Sequence, residues 1–347
     1  MRGAVLVLVI IIFSACMAGE KAAELPSGQK ETVSQPTPAP SSQLHNEESA
    51  TQSYKEGRKV NFSLLWTFST PEPVYGIAAG KHYIAVASYE NMIYLLNMTG
   101  APVWSFQTHG NAEAVALSED ENYLLATSYL VPEARIYLFR LTGENVSLIW
   151  EKILKNIVKG AAISEESNLA ILAAGDGRAY AYTLKGEPRW TFEIQKSAWG
   201  VWDVALQDGH IALAGDDTYL YLLDTSGRLL WKRGGRKGSY LYGCALSQEL
   251  VAGVAQDRTL YVYDIRGRPL WTFKTGFSNH GVDISPDSEL IAISSWDKKV
   301  YILNRSGDVL AKIVFEQEPT DVDFTPDGRL LAVGSRDGKV YVFRIEN

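Results

Sequence analysis

A repeat of about 40 residues runs through most of the chain and constrains its fold more than any other feature. A tyrosine that opens an alternating apolar segment recurs at spacings of 40 to 43 residues, accompanied by a recurring tryptophan and glycine. Repetition at this period indicates one small structural unit used several times. The tyrosines are Tyr94, Tyr137, Tyr180, Tyr221, Tyr261, Tyr301 and Tyr341; the tryptophans are Trp66, Trp104, Trp150, Trp190, Trp231 and Trp271; the glycines are Gly100, Gly143, Gly186, Gly227, Gly267 and Gly307.

Each unit contains four short strand-like segments. In the fifth unit these are CAL, LVAGVA, TLYVYDI and PLWTF, between residues 244 and 273, with turn-forming residues between them. Alternation with a period of two is typical of a half-buried strand. Four short strands per unit of about 40 residues predict the blades of a β-propeller.

The ends of the chain predict how the ring closes. Seven tyrosine-bearing strands give seven blades, but the last unit, from Thr320, ends at Asn347 before a fourth strand. An unassigned fourth strand, NFSLLWTF at 61–68, precedes the first unit. We therefore predict an all-β, seven-bladed β-propeller with four-stranded antiparallel blades, closed by the N-terminal strand in the last blade, which leaves no open sheet edge. In the sixth unit Ala311 occupies the tryptophan position.

Several units resemble known propeller repeats over residues 60–347. The segments LNMTGAPVW, LDTSGRLLW and YDIRGRPLW resemble the repeat of pyrroloquinoline-quinone-type propellers. The units VDISPDSELIAISSWDKKVYIL and VDFTPDGRLLAVGSRDGKVYVF are similar to WD-repeat blades. These resemblances imply an architecture, and the envelope-assembly lipoprotein propellers offer a functional analogy that rests on the fold alone.

The N-terminal residues predict export and anchoring. Arg2 precedes an apolar run, AVLVLVIIIF, which is too short to span a bilayer as a helix. We therefore predict that residues 1–15 are a signal peptide. Phe13-Ser14-Ala15-Cys16 resembles the lipobox of prokaryotic lipoproteins, which implies a lipid on Cys16; the alternative is an ordinary cleaved signal with an incidental cysteine. Residues 16–59, rich in Pro, Ser, Thr and Gln, predict a flexible tether, and residues 60–347 the propeller. We expect an extracytoplasmic protein held to the membrane by this lipid only.

The chemistry-bearing residues favour binding over catalysis. The net charge of −7 argues against a nucleic-acid partner. Cys244 lies in an apolar segment, so we predict that it is a small buried residue. Nucleophile, zinc and phosphate-loop motifs are absent from the sequence, so we expect no enzymatic activity, cofactor or metal. An acidic residue in most turns between second and third strands is interpreted as a turn cap rather than a metal ligand: Glu90, Asp176, Asp216, Asp217, Asp257, Asp297 and Asp337.

Candidate binding residues form a column just before the small apolar segment of each first strand. In the propellers that the chain resembles, these positions rim the central channel on the face where partners bind. The column is Tyr75, Glu113, Lys159, Trp202, Tyr242, His280 and Thr320. Trp199, Tyr240, Phe277 and Trp296 are expected nearby, flanked by Arg233, Arg236 and Lys237, and aromatic residues with arginine are typical of interface hot spots. The alternative is that these aromatic residues pack between blades.

These observations predict a binding scaffold of the cell envelope whose ligand is a protein, a peptide or a polysaccharide. We expect a monomer. The alternatives are a quinone-type or sugar-directed propeller enzyme and a structural envelope component. Four sequons, at Asn61, Asn97, Asn145 and Asn304, are candidate glycosylation sites.

Overall fold

The computed structural model describes residues 60–143, 145–194 and 200–346, and all regular structure within these ranges is β-strand. The predicted signal peptide, the tether and Cys16 lie outside the described residues. Among the described residues, no helix is long and apolar enough to cross a membrane.

The described strands form seven four-stranded antiparallel sheets, which confirms the predicted propeller. Strand β1, Asn61–Ser69, is the outer strand of blade 7. Blade 1 contains β2 Val74–Ala79, β3 Tyr83–Ser88, β4 Met92–Asn97 and β5 Pro102–Gln107; blade 2 contains β6 Asn111–Leu117, β7 Tyr123–Leu130, β8 Glu133–Thr142 and β9 Asn145–Leu154; blade 3 contains β10 Val158–Ser164, β11 Leu169–Ala174, β12 Arg178–Tyr182 and β13 Pro188–Glu193. Blade 4 contains β14 Val201–Gln207, β15 His210–Gly215, β16 Tyr219–Asp224 and β17 Leu229–Gly234; blade 5 contains β18 Leu241–Leu246, β19 Leu250–Ala255, β20 Thr259–Asp264 and β21 Pro269–Lys274. Blade 6 contains β22 Asn279–Ile284, β23 Leu290–Ser295, β24 Lys299–Asn304 and β25 Val309–Val314; the inner three strands of blade 7 are β26 Pro319–Phe324, β27 Leu330–Ser335 and β28 Lys339–Glu346.

The N-terminal strand closes the ring as predicted. Strand β1 pairs antiparallel with β28 from Asn61 opposite Glu346 to Ser69 opposite Lys339. It thereby becomes the outer strand of blade 7, whose other three strands come from the end of the chain. This pairing covers the edge of β28 that would otherwise offer unpaired backbone groups to another chain.

The hydrophobic core lies between the blades rather than at a single centre. Seven clusters of buried side chains are found among the described residues, one between each pair of neighbouring blades. Second strands such as β11 and β19 are buried at every position, because both faces of a blade are covered by neighbours. The outer strands alternate between half-buried and exposed residues, since they form the perimeter.

Outer-strand tryptophans join each blade to the next. In five blades the indole Nε1 donates to a backbone carbonyl in the turn between the third and fourth strands of the following blade, at 2.9–3.1 Å. The glycine of that turn has a positive φ, and a Cβ there would lie only 2.7–3.1 Å from the tryptophan ring. We call these five residues the outer belt: Trp66, Trp150, Trp190, Trp231 and Trp271, which pack on Gly100, Gly186, Gly227, Gly267 and Gly307.

The two departures from this pattern have structural causes. Trp104 faces the longer turn of blade 2, where a Cβ on Gly143 would meet nothing within 4 Å. Ala311 replaces tryptophan in β25 because the following blade has no such turn: its third and fourth strands are β28 and β1, from opposite ends of the chain. The missing tryptophan therefore marks the place where the ring closes.

The acidic turns hold the third strands. Asp176 Oδ1 accepts the backbone N–H of Arg178 at 3.1 Å, as expected for a turn cap. Its second oxygen accepts the hydroxyl of Tyr180 at 2.6 Å, and Asp337 receives Tyr341 at the same distance. The same tyrosine-to-acid bond occurs in blades 1, 4, 5 and 6, at Glu90–Tyr94, Asp217–Tyr221, Asp257–Tyr261 and Asp297–Tyr301. The acid and the repeated tyrosine thus form one structural pair.

Candidate functional site at the channel mouth

A β-bulge in each first strand produces the predicted column. The pairing of β2 with β3 shifts between Val74 and Gly76, which leaves Tyr75 as the extra residue. A bulge gives its extra residue a direction different from that of the regular strand. The same shift leaves out Glu113 in β6, Lys159 in β10, Trp202 in β14, Tyr242 in β18, His280 with Gly281 in β22 and Thr320 in β26.

The aromatic members of the column contact one another across blade boundaries. The rings of Trp202 and Tyr242 meet edge to face, with centroids 4.8 Å apart. Tyr242 approaches His280 at 6.1 Å, and His280 approaches Tyr75 at 6.3 Å. Tyr75 stacks on Tyr89 at 3.9 Å. Four blades therefore contribute to one continuous aromatic wall.

Blades 2 and 3 complete this wall with opposite charges. The Lys159 ammonium lies 3.1 Å from the centroid of the Trp202 ring, within the range of a cation–π contact. Burial lowers the pKa of Lys159 to about 8, although the negative charge of Glu113 opposes the shift. Burial raises the pKa of Glu113 to about 7, against the effects of Lys159 and of the hydroxyl of Tyr89, which donates to Glu113 at 3.1 Å.

His280 is held uncharged. Its Nδ1 lies 2.9 Å from the carbonyl oxygen of Thr320, and this contact is a hydrogen bond only when Nδ1 carries the proton. Burial lowers the pKa of His280 to about 4, and nearby Lys159 and Arg336 also disfavour a second proton. At neutral pH the ring is therefore a neutral tautomer whose Nε2 is an acceptor.

The column surrounds a cavity of about 350 Å³ at the mouth of the central channel, which we call the mouth cavity. Six of the seven column residues line it. Four aspartates from blades 4, 6 and 7 lie deeper in its wall, and each accepts a backbone N–H of the next blade at 2.6–3.0 Å. They are Asp203, Asp283, Asp321 and Asp323, bound to the N–H groups of Cys244, Phe324, Ile77 and Ala79.

A second cavity, of about 330 Å³, adjoins the first and shares Tyr242 with it. This outer groove lies between blades 5 and 6 and is lined also by Gln256, Arg258, Phe277, Ser278 and Trp296. Phe277 is 57% exposed and Trp296 37% exposed. The Trp296 ring stacks on His280 at 5.8 Å, so the groove is continuous with the aromatic wall of the mouth cavity.

Some predicted members of the site lie elsewhere. Thr320 is buried, donates to the carbonyl of Val74 at 2.6 Å and does not line the cavity. Arg233 was expected beside the mouth aromatics but lies on outer strand β17, where its Nε donates to Gly267. Tyr240 is half-buried and lines neither cavity, and Trp199 lies outside the described residues.

Two groups in the site were missed by the sequence reasoning. Tyr89, directly after β3, stacks on Tyr75, and its hydroxyl donates to Glu113. The four channel aspartates stand one or three residues after a column position, in the segments WDV, VDI and TDVDF. An aspartate in an otherwise apolar first strand is the signal that would have found them, because a buried carboxyl needs polar partners.

Three further predictions concern the free cysteine, metal binding and glycosylation. Cys244 is a buried free cysteine, as predicted, and burial raises the pKa of its thiol well above the usual range. Within the ranges that the structure describes, no three His, Cys, Asp or Glu side chains are placed to hold a metal ion. The amide oxygens of Asn97 and Asn304 accept backbone N–H groups of their own turns, whereas Asn61 and Asn145 are exposed. Glycosylation at the four sequons stays a prediction.

The fold and the repeat together define the class. The chain is a seven-bladed β-propeller built from pyrroloquinoline-quinone-type repeats. A family model described as outer membrane protein assembly factor BamB matches residues 175–342, a little under half of the 347 residues. The matched segment runs from the second turn of blade 3 to β28 and includes the two units that resemble WD-repeat blades, a resemblance that stays a prediction. No curated protein matches the chain.

Proposed function

We infer that this protein is an interaction scaffold of the cell envelope that binds a polypeptide partner on its channel-mouth face. The observation that carries the proposal is the outer groove, where Phe277 and Trp296 are exposed beside the stacked wall of the mouth cavity. Large aromatic side chains that remain exposed on one rigid face are typical of interface hot spots. The similarity to the BamB family, named for assembly of outer membrane proteins, supports a partner of this kind.

The charges of the outer groove are compatible with polypeptide recognition. The guanidinium of Arg336 lies 5.9 Å from the centroid of the Trp296 ring, and exposed Arg258 lines the same groove. Arginine beside tryptophan and tyrosine is the composition enriched at the centre of protein interfaces. The rigid bulges that place the column provide a preorganised surface, which lowers the entropic cost of binding.

We further propose that the protein acts outside the cytoplasm, with a lipid on Cys16, and is not an enzyme. The apolar leader and the lipobox-like FSAC segment support export and anchoring. The raised pKa of the Cys244 thiol disfavours a nucleophilic thiolate in the channel, and the His280 ring is tied to a backbone carbonyl. A tethered propeller would present its mouth to partners at a distance from the membrane.

Site-specific photocrosslinking tests the binding face. We expect a photoreactive phenylalanine analogue at position 277, introduced into the full chain in its native envelope, to give a discrete adduct. Mass spectrometry should identify the adduct as an extracytoplasmic polypeptide. Adding Trp296→Ala should reduce its yield about tenfold, since removing a central anchor typically costs that much affinity or more.

The matched control is the same analogue at Leu270, which is 47% exposed on outer strand β21. We expect no adduct from this position, because the perimeter is not the proposed interface. The same set of adducts from both positions, or none from position 277, would refute a partner site at the channel mouth.

A further inference from the structure

The lining of the mouth cavity carries an excess of acidic groups. Five carboxyl groups line it, whereas Lys159 is its only ammonium group among the described residues and His280 is uncharged. The carboxyl groups are those of Glu113, Asp203, Asp283, Asp321 and Asp323. A concave, low-dielectric site lined by one sign of charge concentrates ions of the opposite sign.

Four of these carboxyl groups, those of the channel aspartates, are held in place by backbone N–H groups. Asp321 accepts the N–H groups of Ile77 and Val322, both at 3.0 Å, and Asp203 is held by two N–H groups in the same way. The bonds from Ile77 and Cys244 join neighbouring blades and fix these oxygens on the channel wall. Burial raises the pKa of Asp203 to about 6 and that of Asp321 to about 7, so Asp203 is mostly ionised and Asp321 about half ionised at neutral pH. A cation in the cavity would favour the ionised form of both groups.

The aromatic wall already receives an ammonium group. The Nζ of Lys159 lies over the Trp202 ring, and tryptophan is the aromatic side chain that attracts cations most strongly. The indole Nε1 of Trp202 is buried and has no hydrogen-bond partner in the described part of the chain. The ring is therefore not fastened by its polar atom, unlike the tryptophans of the outer belt.

The size and opening of the cavity leave room for a second cation. About 350 Å³ exceeds the volume of one alkylammonium group, and Tyr242 borders both this space and the outer groove. A flexible chain lying in the outer groove could reach the mouth cavity past Tyr242.

We propose that the mouth cavity binds an alkylammonium or guanidinium group, held by the aromatic wall and the channel carboxylates, with Lys159 as an internal competitor. The group comes either from a free polyamine or from a lysine or arginine side chain of a polypeptide. The second source rests on the proposed function, whereas the first does not.

Calorimetric titration of the full mature chain tests this site. The probes are spermidine and a short peptide, acetyl-Gly-Lys-Gly-amide, with acetyl-Gly-norleucine-Gly-amide as the uncharged counterpart. We expect saturable one-to-one binding of at least one cationic probe and no binding of the norleucine peptide. Spermidine alone would indicate a free polyamine as the ligand, and the lysine peptide would indicate a polypeptide.

Three variants separate the site from nonspecific attraction. Trp202→Ala and Asp321→Asn should each weaken binding about tenfold, because each removes one part of the cage. Lys159→Met should strengthen it severalfold, since this substitution removes the internal competitor and keeps the length of the side chain. An increase in affinity can be seen only if the variant is folded. The Lys159→Met result therefore still tests the site if Trp202→Ala proves unstable.

Several results would overturn the proposal. The proposal is wrong if neither cationic probe binds, if the norleucine peptide binds as tightly as the lysine peptide, or if Lys159→Met does not increase the affinity. It is also wrong if calcium ions bind and neither amine displaces them. Crosslinking from position 277 is an independent measurement. An adduct without amine binding would refute only the cation site, and amine binding without an adduct would refute only the polypeptide partner.

Discussion

The tryptophans of the outer belt and Trp202 of the channel mouth are the same residue type in opposite environments. Each outer-belt indole N–H donates to a carbonyl of the next blade, and each ring lies on a turn glycine. Trp202 instead contacts Lys159 and Tyr242, and its buried N–H has no partner among the described residues. The polar atoms of the outer-belt tryptophans therefore have partners within the fold, whereas the indole N–H of the mouth tryptophan has none among the described residues.

The two regions also differ in how they use the repeat. The outer belt carries tryptophan in five blades, because each blade has the same neighbour to join. The column carries Tyr, Glu, Lys, Trp, Tyr, His and Thr at equivalent bulges. A position that the architecture requires is repeated in most blades, whereas the column position varies and is therefore not set by the architecture alone.

The largest effect expected from this comparison is on stability. Trp231→Ala should lower the free energy of unfolding by about 3–5 kcal/mol, since it removes a buried ring and its hydrogen bond to Ile265. Trp202→Ala, at a half-buried position, should cost about 1 kcal/mol. Urea denaturation followed by circular dichroism measures both values. A larger loss for Trp202 than for Trp231 would show that the mouth wall is part of the core.

A smaller effect is expected at the turn glycines that receive the outer belt. Gly267→Ala should cost about 2–3 kcal/mol, because φ is +78° and the new Cβ would lie 2.9 Å from the Trp231 ring. Gly143→Ala is the matched control: φ is +61° with nothing within 4 Å, so it should cost about 1 kcal/mol. In a Trp231→Ala background the two glycine substitutions should cost the same. If Gly267→Ala lowered the free energy of unfolding by the same amount with and without the Trp231 ring, the contact between this glycine and the tryptophan would not be the cause of the loss.

The smallest effect expected is a pH dependence confined to the mouth. Glu113 and Asp321 have a pKa of about 7 in the folded protein, above the values of 4.5 and 3.8 for the free groups. The folded state therefore binds more protons, and stability falls as the pH rises through 7. His280 and Lys159 act oppositely, but the effect of His280, with a folded pKa of about 4, falls below pH 6.5. The effect of Lys159, whose pKa is about 8 in the folded protein and 10.5 in the free group, falls mainly above pH 8.

Melting temperature between pH 6.5 and 8 measures this dependence. We expect the wild-type value to fall by a few degrees over this range and the Asp321→Asn value to fall less, because one raised carboxyl is removed. Trp231→Ala should lower the melting temperature equally at both pH values, because Trp231 lies on outer strand β17 and does not line the mouth cavity. A wild-type melting temperature that rises over this range would contradict the assignment.

The sequence alone determined the architecture, because a propeller repeats one local pattern seven times. The tyrosine spacing predicted the number of blades, and the unassigned segment 61–68 predicted the closure seen in the pairing of β1 with β28. Even the exception at Ala311 was visible, although its cause, the missing turn in blade 7, required the topology. Local alternation and turn residues carry this information within a single unit.

Only the tertiary structure decided which residues of the column share a site. The sequence placed Trp202, Tyr242 and His280 on neighbouring blades, but the β-bulges that turn these side chains inward depend on the pairing register. Tyr89 and the channel aspartates escaped prediction because their partners, such as Glu113 and Ile77, lie in other blades. The bond from Asp321 to Ile77 spans 244 residues of sequence, a proximity that only the closed ring creates.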